Sequence, residues 1–490
     1  MSYYIGCDLG TSAIKLTVCD EKGEVILSAD ESYPCFFPKD GYSEQKPEDW
    51  LSALKKGLKI ITSSIKGEIK GLAIDGQMHG LVPLDKDMSV LRRAILWNDS
   101  RSTKECLYLN KAIGKDTLIK ETGNIAYPGF TLPKIIWMKN NEPELFARIK
   151  TVFLPKDYLN YCLTGKVCTD YSDAAGTLAL NVKKQCWSKS MIDLSGLDES
   201  CFPEIVKTGS FLGYMKEDIA KECGFKKPVK IYQGAADNAA SAIGNGVVND
   251  SECNISLGTS GTIFVASNSY VFDKNGAIHS FLTGTDNYCL LACMLSAASC
   301  LKWLTEEVFK SNDFVSVQKR IKNEDLGNSN VFFLPYLMGE RSPINDPKAR
   351  GVFFGLSMDT KQEDLVESVM EGVAFALRDS FECFKKMGID IKKSYITGGG
   401  SKSPLWKKII SNVLDISLET VADSYGPSYG MCLVVLLSEG VFKTFKEEKD
   451  NLIKVTDTTI PEKKLVEKYQ LKYEKYQLLY PSLKNVFSIE

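Results

Sequence analysis

Two short stretches carry residue types that could hold a phosphate. Asp8-Leu9-Gly10-Thr11-Ser12 lies near the start of the 490-residue chain, and Ser256-Leu257-Gly258-Thr259-Ser260 follows about 250 residues later. Each sits between apolar runs rich in β-branched residues, so each predicts a β-hairpin with a Gly-Thr-Ser tip. Glycine lets the backbone turn and approach a ligand closely. Successive turn N–H groups with two hydroxyls then form a nest for an anion. Two such tips imply a duplicated fold gripping one polyphosphate from two sides. The copies differ in one respect: Asp8 stands where the second has Ser256. A carboxylate on a buried strand is costly without a partner. Asp8 is expected either to sit in a structural hydrogen-bond network or to orient a Mg²⁺ on the phosphates through water, because Mg²⁺ keeps several of its waters. Lys15, just past the tip, either leans on a phosphate or is solvated.

A second acid ends another predicted strand, Val229–Gln233, in Gly234-Ala235-Ala236-Asp237-Asn238. Asp237 reads either as a helix N-cap or as a general base for a phosphoryl acceptor. Gln77-Met78-His79 follows the predicted strand Ile69–Ile74, where α/β folds place ligand contacts, and offers polar groups to a polyol. Trp97 is either core or an apolar wall for a sugar. Gly398-Gly399-Gly400 follows the predicted strand Tyr395–Thr397 and precedes Ser403-Pro404, an N-cap with proline at the first helical position. Those glycines would let a base or ribose lie flat, and a helix N-terminus favours negative charge. No Gly-x-x-x-x-Gly-Lys-Ser/Thr occurs, which excludes a P-loop. The only histidines are His79 and His279, which excludes a His-rich metal site; His279 reads as structural.

The elements that must position these groups are an α/β set. Residues 3–33 predict three strands turning at Gly10–Ser12 and at Asp20–Gly23. Pro47 opens a helix with Trp50, Leu51, Leu54, Leu58 and Ile61 on its apolar face. The small residues from Ala239 to Gly246 predict close backbone approach. Thr360-Lys361-Gln362-Glu363 predicts a capping box, with Thr360 as N-cap of a long helix. From Pro461, tyrosines at helical spacing predict an amphipathic helix docked on the body. The length exceeds one hydrophobic core, and the expected division is 1–245, 246–445 and a helical segment over 446–490.

Composition narrows the class. Hydrophobic residues make up 44%, charged residues 25%, and the net charge is −2 without a basic stripe, so neither nucleic acid nor a membrane surface is expected as partner. The chain enters a charged strand almost at once, so no signal peptide is expected. The cysteines number 15, an odd count without Cys-x-x-Cys. They read as reduced residues of a cytoplasmic protein. The sequence is open to a homodimer.

With these residues in view, the chain resembles the FGGY carbohydrate kinases nearly end to end. The resemblance rests on Asp8–Ser12, Gly76-Gln77-Met78-His79-Gly80, Ile95–Asp99, Leu154–Tyr158, Asp170–Gly176, Gly234–Asn238, Ser256–Gly261, Gly339-Glu340-Arg341 and Gly398–Gly400. Gln-Met-His-Gly discriminates most, because family members acting on glycerol differ there. The resemblance implies the actin-like ATPase (ribonuclease H-like) fold, duplicated around a cleft. It implies transfer of the ATP γ-phosphoryl group to the 5-hydroxyl of D-xylulose, with another ketose, polyol or sugar acid as the alternative acceptor. It implies Asp237 as base; Met78, His79, Asn238 and, more distantly, Trp97 as sugar contacts; Asp8 at the Mg²⁺ and phosphates; and Gly258, Thr259, Gly399 and Gly400 at ATP, beside Gly10, Thr11, Ser12 and Lys15 of the first nest. Tyr429 and Met431 depart from the family's small residues and are expected to alter packing near the adenosine. A non-catalytic nucleotide switch of the same fold is the competing class.

Overall fold

A computed structural model describes residues 1–422 and 426–489. The first sheet is built from β1 (Ser2–Leu9), β2 (Ala13–Asp20) and β3 (Val25–Ser32), then α1 (Pro47–Ser64) and β4 (Glu68–Gly76). There follow α2 (Thr131–Asn141), α3 (Pro155–Thr164), α4 (Tyr171–Ala175), β5 (Phe211–Tyr214), β6 (Lys230–Ala236) and α5 (Asp237–Gly244). Its order is β5-β6-β4-β1-β2-β3. β1, β2 and β3 are antiparallel neighbours, while β4 and β6 join β1 in parallel.

The second half repeats this plan. It contains β7 (Cys253–Leu257), β8 (Gly261–Ser267), β9 (His279–Leu282), β10 (Tyr288–Met294), α6 (Phe314–Lys319), α7 (Gln362–Lys386), β11 (Lys393–Thr397), α8 (Pro404–Leu414) and β12 (Ser417–Val421). Then come α9 (Gly426–Ser438), α10 (Phe445–Leu452), β13 (Val455–Thr459), α11 (Lys463–Tyr476) and α12 (Leu479–Phe487). The order β9-β10-β8-β7-β11-β12-β13 again sets antiparallel β7, β8 and β10 beside parallel β11 and β12. Both predicted hairpins form, each with its Gly-Thr-Ser tip at the end of the first strand of a sheet.

One face of the first sheet packs Ile5, Cys7, Leu16 and Val18 against Trp50, Leu54, Leu58 and Ile61 of α1. The other face is covered by α9, from the second half of the chain. Thr17 Oγ1 and Ser428 Oγ are 2.8 Å apart, and the Tyr429 hydroxyl donates to the Gly23 carbonyl at 3.0 Å. Gly6 leaves room for this: a Cβ there would stand 1.8 Å from the Ser428 carbonyl oxygen. The small residues of α5 meet the same helix, since a Cβ on Gly430 would lie 2.0 Å from the Ala240 carbonyl oxygen. This placement corrects the expectation for Tyr429 and Met431. Both are buried on the first sheet, where Met431 packs by Gly6 and Gly234.

Two further expectations shift. The long helix begins one residue later than Thr360 and Glu363 would set it: the Lys361 N–H donates to Asp364 Oδ2 at 2.8 Å, while Thr360 Oγ1 accepts from Ser357 N. The segment after residue 445 is not helical throughout, because β13 adds to the edge of the second sheet before the tyrosine helix. Tyr469, Tyr473 and Tyr476 do dock, around Phe375 of α7. Where backbones touch at Gly430, an added methyl forces a main-chain shift, and overpacking of this kind costs about 1–3 kcal/mol. Gly430→Ala should therefore lower the urea midpoint by that equivalent; an unchanged midpoint would contradict the helix crossing.

Candidate active site

The end of β1 sets the site's charge pattern. Asp8 lies in register with Asp75 on β4 and with Lys15 on β2, and Lys15 lies in register with Asp30 on β3. Side chains in register share a face, so acid, acid, base and acid form one row across four strands. Burial pushes the Asp8 carboxyl up to about 6 despite Lys15. Asp75, to which sequence reasoning assigned no role of its own, is fully buried and shares a hydrogen bond with Asp8. Burial, and then the charges of Asp8 and Asp237, push its carboxyl well above the carboxylate range.

The first tip is held from behind. The Gly10 N–H donates to the Ala13 carbonyl at 3.1 Å, and the Tyr33 hydroxyl donates to the Gly10 carbonyl. Gln45 Nε2 donates to the Thr11 carbonyl at 2.6 Å, while its Oε1 accepts from Trp50 Nε1 at 3.0 Å and from Gln77 Nε2 at 2.9 Å. The Gln77 amide nitrogen thus braces the tip, while its Oε1 is buried without a partner among the described residues. Trp97 Nε1 donates to Thr11 Oγ1 at 2.9 Å, and its ring is 40% exposed, so it is no core residue. Ser12 is exposed beside it.

Asp237 is the first residue of α5; the N-cap position is Ala236, which sets aside the capping alternative. Its Oδ1 accepts from Asn238 N at 2.6 Å and from Asn238 Nδ2 at 2.9 Å. Burial, and then the Asp8 charge, push its carboxyl up to about 7 in spite of those bonds. Asn238 Nδ2 also reaches Met78 Sδ at 3.7 Å. His79 is left-handed, with φ 68°, a conformation uncommon without glycine. Three bonds secure it: its Nδ1 pairs with the Gly176 carbonyl at 2.6 Å, and its own carbonyl accepts from Thr131 Oγ1 at 3.1 Å and Lys134 Nζ at 2.8 Å. The carbonyl on Nδ1 requires the proton there. Burial lowers the ring to about 3, so it is neutral and Nε2 is left as an acceptor. The ring packs on Phe130 from the first half and Phe281 from the second, with centroids 4.7 and 6.0 Å away. Asp8, Asp75, Asp237, Met78, His79 and Asn238 therefore gather at the ends of β1, β4 and β6.

The second tip is held in a different way. Thr259 and Ser260 are exposed, and the Gly258 and Thr259 carbonyls accept from Ala298 N at 2.8 Å and Ala297 N at 2.9 Å. The glycines after β11 lie against this tip: a Cβ on Gly400 would stand 2.4 Å from Leu257 Cδ2. Gly398 turns with φ 85°, and a short 3₁₀ turn separates it from α8. Ser403 caps that helix as expected, accepting from Trp406 N at 3.1 Å. Gly399 opens on a cavity of about 660 Å³ walled by Phe314, Val315, Gln318 and Lys402. The α6 residues of that wall carry no motif in the sequence.

The N-terminal domain of the FGGY family of carbohydrate kinases matches residues 3–244, and the C-terminal domain of that family matches residues 253–438. The chain belongs to the FGGY carbohydrate kinases. The xylulose kinase of Staphylococcus xylosus is 35% identical over 487 residues, covering 98% of this chain and all of that protein. Among solved structures, the ligand-bound xylulose kinase of Lactobacillus acidophilus superposes with TM-score 0.95 at 25% identity, covering 100% of this chain and 99% of the other. The gluconate kinase of the same organism gives TM-score 0.93 at 26% identity, covering 98% of each chain. This FGGY kinase thus has the actin-like ATPase fold, and ATP is the substrate expected of its family.

Lys134 marks what patterns could not reveal in this kinase. It is fully buried in α2, donating to the Gly129 carbonyl at 2.7 Å as well as to His79. Burial holds its amine down at about 7. Losing bonds from such a group costs about 1–3 kcal/mol. Lys134→Met should raise KM for the sugar about 10-fold and leave KM for ATP unchanged; equal rises in both would detach Lys134 from the His79 loop.

Proposed function

We propose that this kinase transfers the γ-phosphoryl group of ATP to the 5-hydroxyl of D-xylulose, giving D-xylulose 5-phosphate and ADP. The observation that carries the reading is Asp237: a carboxyl held near pH 7 by burial and by Asp8, bonded to Asn238 and set beside Met78 and His79. A base works best with a pKa near the operating pH. The name of the relative at 35% identity supports D-xylulose as the sugar.

In this reading Asn238 and the bare Nε2 of His79 bind sugar hydroxyls, and Met78 and Trp97 supply apolar contact. Asp237 takes the proton of the acceptor hydroxyl as the loose transition state forms. Gly10, Thr11, Ser12 and Lys15 from one side, and Gly258 and Thr259 from the other, hold the phosphates. Gly399 and Gly400 border the adenosine in the cavity walled by Phe314 and Val315. Mg²⁺ fits the Asp8 end of the site: Asp8 and Asp75 bring two carboxyls together in register, with Lys15 beside Asp8. Mg²⁺ keeps several of its waters, so Asp8 and the phosphates would suffice to hold it. When bound it would neutralise phosphate charge. A cytoplasmic location agrees with all 15 cysteines being free.

ADP release with Mg-ATP should be accelerated by D-xylulose over other ketoses, polyols and gluconate. Acceleration by another acceptor but not D-xylulose would overturn the assignment. Asp237→Asn should lose about 10²–10⁴-fold in turnover with the fold intact. Because the base must be ionised, kcat/KM for the sugar should fall as pH drops below about 7; a flat profile down to pH 5 would remove Asp237 from that role.

A further inference from the structure

The end of β6, one residue before Asp237, rejoins its sheet at Gly76 only after an irregularity. The register of β6 on β4 breaks between Gln233 and Ala236. Gly234 permits the break, since a Cβ there would stand 2.0 Å from the Ile74 carbonyl oxygen. Irregularities of this kind re-aim the side chain that follows. Beyond the irregularity, the Ala236 N–H donates to Ser172 Oγ at 2.9 Å. Ser172 lies in α4, and its hydroxyl donates in turn to Asp170 Oδ2, the N-cap of that helix.

Asp170 is anchored to a buried charge. Its Oδ1 is 2.7 Å from Lys156 Nζ, which also pairs with Asp157 at 2.8 Å and Asp173 at 2.9 Å. All four side chains are fully buried. Three carboxyl groups around one buried ammonium leave little freedom, because breaking a buried ion pair strands a charge in the interior. The Lys156 stem also abuts β4: a Cβ on Gly76 would stand 3.1 Å from Lys156 Cβ. One lysine therefore braces both the strand leading to Met78-His79 and, through a single hydroxyl, the backbone leading to Asp237.

We propose that Ser172 is a positioning residue for the catalytic base: fixed by Asp170 and Lys156, it holds Ala236 so that α5 starts where the Asp237 carboxylate meets the acceptor hydroxyl. Ser172 touches neither substrate, so its removal acts on alignment alone. Misplacement of a reacting group by about 1 Å can cost about 10²-fold.

The inference rests on Asp237 as base, and three variants separate the two claims. With ATP and D-xylulose, Ser172→Ala should lower kcat about 10–100-fold while KM for both substrates stays within about threefold of the parent and the melting temperature shows a folded protein. Ser172→Thr, which keeps the hydroxyl, should recover most of that kcat. If the alanine variant does not fold, Ser172→Cys, with a weaker acceptor, should show the same split between kcat and KM. Unchanged kcat in Ser172→Ala, a loss carried by KM, or no recovery with threonine each overturns the positioning role. Normal turnover in Asp237→Asn overturns both claims; an inactive Asp237→Asn beside a fully active Ser172→Ala overturns only this one.

Discussion

Three carboxyls with too little positive charge around them govern this molecule. Asp8 and Asp75 are in-register neighbours, and Asp237 is close enough that the charges of both Asp8 and Asp237 raise Asp75. Burial is the largest cause at all three. Water would relieve the repulsion, but Asp75 is fully buried at the ends of these packed strands. The surrounding structure must therefore hold apart and in place groups that would otherwise separate or keep their protons. What can neutralise them is brought by ligands: a hydroxyl that gives up its proton to Asp237, and a phosphate-bound cation at Asp8.

That requirement accounts for much of the scaffold. The glutamine pair Gln45 and Gln77 braces the first tip from behind by bonding the Thr11 and Gly10 carbonyls and each other. Gly6 and Gly430 allow α9 to lie directly on the first sheet and on α5, so the helix that begins with Asp237 is clamped between strands of one half and a helix contributed by the other. The Lys156 cluster then anchors the same strand end from a third direction. Each device fixes backbone, which is what phosphoryl transfer asks of a protein whose chemistry is mainly alignment and electrostatics.

The sequence made some of this legible and hid the rest for identifiable reasons. Turns and caps are local: Gly10–Ser12, Pro47 and Ser403-Pro404 declare themselves within a few residues, and the hairpins, α1 and α8 follow. Thr360 missed by one residue because Asp364 competes with Glu363 for the same reciprocal bond, and spacing alone does not choose between them. The bond of Gln77 to Gln45 shows in no sequence pattern, because a polar side chain after a strand points either to a ligand or to a neighbouring turn. Asp75 stands in the same stretch but is an isolated acid in an apolar run, and its meaning lies in register with Asp8, 67 residues away by number. Tyr429 was read against the nucleotide from the family resemblance; the helix crosses to the other half, 406 residues from its partner Gly23. Contacts of that range leave no periodicity to read.

The acid that makes the site useful also opposes folding. Asp237 has a folded value near 7, above the 3.8 of an unperturbed aspartate. The native state therefore binds its proton more tightly than the unfolded chain. The stability linked to that proton is fully present below the unperturbed value and is lost as pH rises through about 7. Where the base is ionised and able to act, its charge works against the structure that aims it. A residue in that position stays in place only when its backbone is over-determined by neighbours that do not titrate with it. The break in β6, the Ser172 hydroxyl and the clamp of α9 on α5 supply that constraint from outside the charged cluster, which is why they belong to the site although none of them faces the cleft's reacting groups.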